Sequence, residues 1–67
     1  MLVNITSCSP GDVVITGLET GRRTIEDIQV NEDGSTKVTF LVEGNTYITY
    51  FPSSKVVLRV GDDENNG

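Results

Sequence analysis

Turn signals interrupt this chain so often that no segment has the length or the period of an amphipathic helix. Ser9-Pro10-Gly11-Asp12, Gly17 and Gly21, Asn31-Glu32-Asp33-Gly34-Ser35, Gly44-Asn45 and Pro52-Ser53-Ser54 cut the sequence into short apolar segments. Proline presets the backbone for the second position of a turn, and glycine accepts the positive φ that several turn types demand. Between these breaks the residues suit pleated strands. Nine valines, five isoleucines and eight threonines supply side chains that are stiff at χ1, while alanine, the best helix former, is absent. The class read from this pattern is all-β.

After a short N-terminal apolar segment from Leu2 to Ile5, strands are expected at Val13 to Thr16, Thr24 to Asn31, Thr36 to Val42, Thr46 to Phe51 and Lys55 to Val60. These five are the principal strands, with residues 1–61 forming one small domain and residues 62–67 an acidic, disordered tail. A chain of 67 residues buries only about 60% of the surface its unfolded form exposes, so its hydrophobic residues, 36% of the total, are committed to a single core with little left for a deep pocket.

The turns also argue register. A three-residue loop of Glu32, Asp33 and Gly34, with the glycine left-handed, pairs Ile28 with Val38 and Val30 with Thr36 and puts Ile28, Val30, Val38, Phe40 and Val42 on one face. Ile25 is then out of phase with Ile28, which calls for a bulge near Glu26-Asp27. For the next hairpin, Gly44-Asn45 as a type II′ turn pairs Val42 with Tyr47, Phe40 with Thr49 and Val38 with Phe51. Leu41 would then lie across from Ile48, and Thr39 across from Tyr50. Most apolar residues fall on the inward face. Leu41, Ile48 and Tyr50 are left over on the outer one.

These five strands resemble the Src-homology-3-like small barrels, including the translation and transcription modules called KOW domains. The likeness covers roughly residues 9–60 and rests on Pro10-Gly11-Asp12-Val13-Val14 opening the first barrel strand, Gly17 closing it, Thr24-Ile25-Glu26-Asp27-Ile28 in the second, and Phe51-Pro52-Ser53-Ser54-Lys55-Val56 around the final turn. It implies a five-stranded barrel and, since members of this family bind peptides, methylated side chains, RNA or proteins, a binding role. The chain lacks the tryptophan normally found in a polyproline groove. Tyr47 and Tyr50 have opposite parity on their strand, which argues against an aromatic cage.

Charge and composition narrow the function. Ten acidic and five basic residues give a net charge of -5, but Asp62, Asp63 and Glu64 sit at the end and residues 1–61 are closer to balance. The acidic end reads as a solvated terminus. Scattered Arg22, Arg23, Lys37 and Lys55 make a poor basic stripe for phosphate, so nucleic acid is disfavoured, although a KOW-type reading would use these four if the fold gathered them. Arg22-Arg23 reads first as solvated arginines paired with carboxylates such as Glu19. With no histidine and only Cys8, a metal site, a cofactor site and nucleophilic catalysis all lack their usual ligands and bases. Glu26 and Asp27 are adjacent on a strand and do not converge as an acid and base pair, and Cys8 reads as a small, partly buried residue.

A single cysteine cannot form an internal disulfide. Met1-Leu2-Val3 has no signal-peptide layout, and no apolar run reaches the ~18 residues of a membrane span, so the expected compartment is the cytoplasm, without membrane contact. The sequon Asn4-Ile5-Thr6 then has no glycosylation role. The leading expectation is a non-enzymatic protein-interaction module working through Leu41, Ile48 and Tyr50, without a small-molecule substrate. Its size and acidity are similar to those of small accessory proteins of bacteriophages and mobile elements, some of which bind host proteins. The alternatives are a KOW-type nucleic-acid or ribonucleoprotein module and a structural protein that self-assembles.

Overall fold

A computed structural model describes residues 1–17 and 21–60. The fold is all-β, a single antiparallel sheet of six strands: β1 (Leu2–Asn4), β2 (Val13–Ile15), β3 (Arg23–Val30), β4 (Ser35–Val42), β5 (Asn45–Pro52) and β6 (Val56–Val60), in the spatial order β1-β6-β2-β3-β4-β5. Two expectations are corrected here. The N-terminal segment is a sixth strand of the sheet, pairing Leu2 with Leu58, Val3 with Val57 and Asn4 with Val56. Among the described residues the sheet is also open rather than closed into a five-stranded barrel: β1 lies on the far side of β6, and β5 pairs with β4 alone. Gly61 and the acidic tail, like Leu18, Glu19 and Thr20, lie outside the described residues, and with them the proposed partner Glu19 of the arginine pair.

The core lies on one face of the sheet. Val14, Ile25, Val38, Phe40 and Val57 are buried there, and a single 3-10 turn, Ile5–Ser7, adds Ile5 while Cys8 follows it inward. That turn begins where β1 ends because the Asn4 side chain accepts hydrogen bonds from the Thr6 backbone N–H at 3.0 Å and the Thr6 hydroxyl at 2.7 Å. The sequon asparagine is therefore a structural cap. Val3, Ile28, Val42 and Phe51 pack around the buried set, and the Phe51 ring meets Phe40 edge-on at 6.3 Å between centroids. Leu41, Ile48 and Tyr50 are exposed as expected, but fewer of the other apolar residues are inward than the alternation suggests: Met1, Leu2, Val30, Tyr47 and Val56 are exposed as well. Val30 shares the core-facing row but stands at the end of β3, beyond the reach of the core.

The turn at Ser9-Pro10-Gly11-Asp12 forms as its residues dictate. Gly11 has φ +99°, the Asp12 N–H donates to the Ser9 carbonyl at 3.0 Å, and the Ser9 N–H donates to the Asp12 carboxylate at 2.9 Å. The first long hairpin has the expected register, with Ile28 opposite Val38, Val30 opposite Thr36 and Gly34 at φ +94°. A register shift between Ile25 and Asp27 supplies the bulge: Glu26 is the extra residue, and it lets both Ile25 and Ile28 face inward.

The second hairpin departs from expectation. Its central residues are Glu43 (φ +52°) and Gly44 (φ +83°), the two positive values of a type I′ turn, so Val42 pairs with Asn45, Phe40 with Tyr47, Val38 with Thr49 and Thr36 with Phe51. Pro52 explains the choice. In the Gly44-Asn45 register Pro52 would stand opposite Lys37 at a hydrogen-bonded position, with no N–H to give. In the observed register it pairs with Ser35, and its missing donor faces away from β4. The slip is two residues, so every β5 side chain keeps its predicted face while all of its cross-strand partners change.

Candidate interaction surface

The outer face of the β4–β5 hairpin carries Lys37, Thr39 and Leu41 from one strand and Thr46, Ile48 and Tyr50 from the other, in register as Lys37 with Tyr50, Thr39 with Ile48 and Leu41 with Thr46. Leu41 is therefore diagonal to Ile48 rather than directly across from it. All three predicted apolar residues are exposed, at 39% for Leu41, 57% for Ile48 and 63% for Tyr50. β3 continues this face with Thr24, Asp27 and Gln29 opposite Leu41, Thr39 and Lys37. The apolar side chains thus have a polar border on one side and the open edge of β5 on the other. Tyr47 belongs to the opposite, core-side row, where it borders a groove of about 270 Å³ with Arg23 and Val42.

The four basic candidates do not form one cluster. Arg23 rests on the Phe40 ring, 5.6 Å from its centroid, and Lys55 rests on the Phe51 ring at 5.8 Å. Since Phe40 and Phe51 touch, these two cations cover one aromatic pair from the core side. Lys37 stands on the other face beside Tyr50, and Arg22 is exposed just before β3. In Arg23 and Lys55 it is the charged end that faces the ring, a cation–π arrangement.

The sequence reading missed a second apolar region. Leu2, Ile15, Thr16, Gly17, Val56, Val57 and Leu58 line an open groove of about 510 Å³ near β1, β6 and β2. The signal was available in Val56-Val57-Leu58: a continuous apolar run in a strand must send residues to both faces. Val57 is buried, and Val56 is half exposed on the other side.

Cys8 is buried, and its thiol donates a long contact of 3.9 Å to the Asn4 carbonyl. Burial pushes the thiol above its ordinary pKa and the Asp12 carboxylate pushes the same way, while Arg59 opposes them. Asp12 and Arg59 approach to 4.0 Å beside it. Among the described residues, no group of three or more Cys, His, Asp or Glu side chains gathers as a metal site, and no helix is long and apolar enough to cross a membrane. Buried polar atoms are satisfied among these residues; Thr36 bonds the Ser53 hydroxyl at 2.7 Å. No family model, curated protein or solved structure matches this chain.

Proposed function

We propose that this protein is a non-enzymatic interaction module whose binding surface is the outer face of the β4–β5 hairpin. One observation carries the reading. Leu41, Ile48 and Tyr50 sit together in solvent on a small domain whose apolar residues are needed for its core. Aromatic side chains standing beside aliphatic ones are the usual anchors of a protein interface, and the polar border on β3 supplies the rim. The fold reading that accompanies it is a Src-homology-3-like one in open form: the meander β2-β3-β4-β5 with β6 returned beside β2 would supply the five strands of such a module as an open sheet, with β1 added at its side. The likeness in size and acidity to phage accessory proteins would make the partner a host protein.

The test is capture from native extract by the parent protein and by two charge variants. Tyr50→Asp places a carboxylate in the surface without touching the core, and its stability is expected within about 0.5 kcal/mol of the parent. Val56→Asp places one in the distant groove. Loss of a specific partner with Tyr50→Asp but not with Val56→Asp is the expected result. Equal capture by all three proteins would remove the β4–β5 face from consideration.

A further inference from the structure

We infer that β5 is a self-pairing edge, and that two copies of this chain join antiparallel along it about a two-fold axis to make one continuous sheet. β5 has eight residues, Asn45–Pro52, and among the described residues β4 is its only neighbour. Exposed edges of this length normally carry a charge, a bulge or an internal proline against pairing with another chain. β5 has none of these: its sequence Asn-Thr-Tyr-Ile-Thr-Tyr-Phe-Pro is uncharged, its ladder with β4 has no register shift, and proline comes only at the last residue. The opposite edge, β1, has three residues and offers little to pair with.

The hairpin fixes which backbone groups are available. Val42 and Asn45 close a two-residue turn and so form a hydrogen-bonded pair, which sends the N–H and C=O groups of Asn45, Tyr47, Thr49 and Phe51 toward β4. Those of Thr46, Ile48 and Tyr50 point outward from the sheet. An antiparallel copy can meet all three outward residues at once in a register with Ile48 opposite Ile48 of the second copy and Thr46 opposite its Tyr50. That register makes on the order of six main-chain hydrogen bonds. It sets β-branched and aromatic side chains across the seam, the pairings that stabilise antiparallel sheets.

Charge argues for a second copy as the occupant. A two-fold axis brings each residue near its own equivalent, which would set like charges together in a chain of net charge -5, yet no charged residue lies on β5. At the two ends of the seam this register sets Glu43 of each copy opposite the uncharged Ser53 of the other, so no like charges meet there either. The exposed Ile48 and Tyr50 of both copies then form one apolar strip. The pairing uses the edge, and does not depend on the outer face binding another protein.

Sedimentation over an about hundred-fold concentration range, with amide hydrogen exchange read residue by residue, tests this. The expected result is a reversible monomer–dimer equilibrium in which the Thr46, Ile48 and Tyr50 amides gain protection as concentration rises, while those of Tyr47, Thr49 and Phe51 are protected throughout. Thr46→Pro removes an outward N–H without costing a bond to β4 and leaves Leu41, Ile48 and Tyr50 in place; dimerisation should weaken by about tenfold or more. Ile48→Lys, which sets two ammonium groups face to face at the axis, is the second variant should the proline disturb the fold, and it should also abolish the dimer. A strictly monomeric parent, a dimer without the alternating protection, or a dimer unaffected by the variant that folds would each overturn the edge pairing. The partner-capture comparison is read separately, so either idea can fail alone.

Discussion

The two long hairpins share β4 but are held differently. In the β3–β4 hairpin the turn is tied by side chains: the Asp33 carboxylate accepts from the Ser35 N–H at 3.0 Å and its hydroxyl at 2.7 Å, and the Asn31 amide reaches the same hydroxyl at 3.1 Å. β3 also delivers Ile25 and Ile28 to the core through its bulge. In the β4–β5 hairpin the turn holds Glu43 left-handed, and the first four residues of β5 are exposed. Its far end is pinned, where the Ser53 N–H donates to the Gly34 carbonyl at 2.8 Å and its hydroxyl meets buried Thr36. The difference teaches where this small protein can place a surface. Of the three strands in these hairpins, β5 gives the core least, Phe51 alone, and its outer face and edge are the ones placed to meet another chain.

Breaking the comparison outright requires the shared strand. Phe40 is fully buried on β4 and contacts Phe51, so Phe40→Ala should cost about 3–5 kcal/mol. A single core in a chain below about 70–80 residues rarely supplies more than ~3–5 kcal/mol. The variant should therefore be largely unfolded by circular dichroism at room temperature, both hairpins melting together. Persistence of one hairpin alone would show that the two are not one cooperative unit.

A smaller effect is expected at the looser turn. Glu43→Asn supplies the residue pair favoured by type I′ turns and relieves part of the roughly 1–2 kcal/mol cost of a left-handed L-residue, so stability should rise by about 0.5–1 kcal/mol in thermal melts. A decrease would mean that the Glu43 side chain contributes something beyond its backbone position. The smallest effect belongs to the tighter turn. Hydrogen bonds from the Ser35 hydroxyl and backbone N–H hold the Asp33 pKa below its ordinary value. A depressed carboxylate pKa stabilises the fold above the unfolded-state value and loses that contribution as pH falls through the folded-state value. The stability gap between the parent and Asp33→Asn should therefore be constant near neutrality and narrow in acid. A gap independent of pH would remove the ionised carboxylate from the account of this turn.

Legibility in the sequence followed local determinants. The Pro10-Gly11 turn, the Glu32-Asp33-Gly34 loop and the bulge at Glu26 each have a residue whose backbone or phase leaves one good answer. The β4–β5 register was less legible because Gly44 satisfies two turn types, as the first central residue of type II′ or the second of type I′. The deciding residue, Pro52, lies eight positions away and acts only through the ladder. Outward placement of Leu41, Ile48 and Tyr50 survived because a two-residue slip preserves parity. The basic residues were less readable still: nothing local places Arg23 on Phe40 or Lys55 on Phe51, since both contacts depend on how the sheet folds over its core.

Composition, turn chemistry and strand alternation by themselves determined an all-β chain, the positions of its strands and the faces of its side chains. These properties depend on φ preferences and on a period of two, both carried by neighbouring residues. Only the tertiary structure decided that the N-terminal segment joins β6, that the sheet stays open, and that β5 is left with a bare edge. Those outcomes depend on pairings such as Leu2 with Leu58 and Asn4 with Val56, between segments more than fifty residues apart, which no local preference encodes.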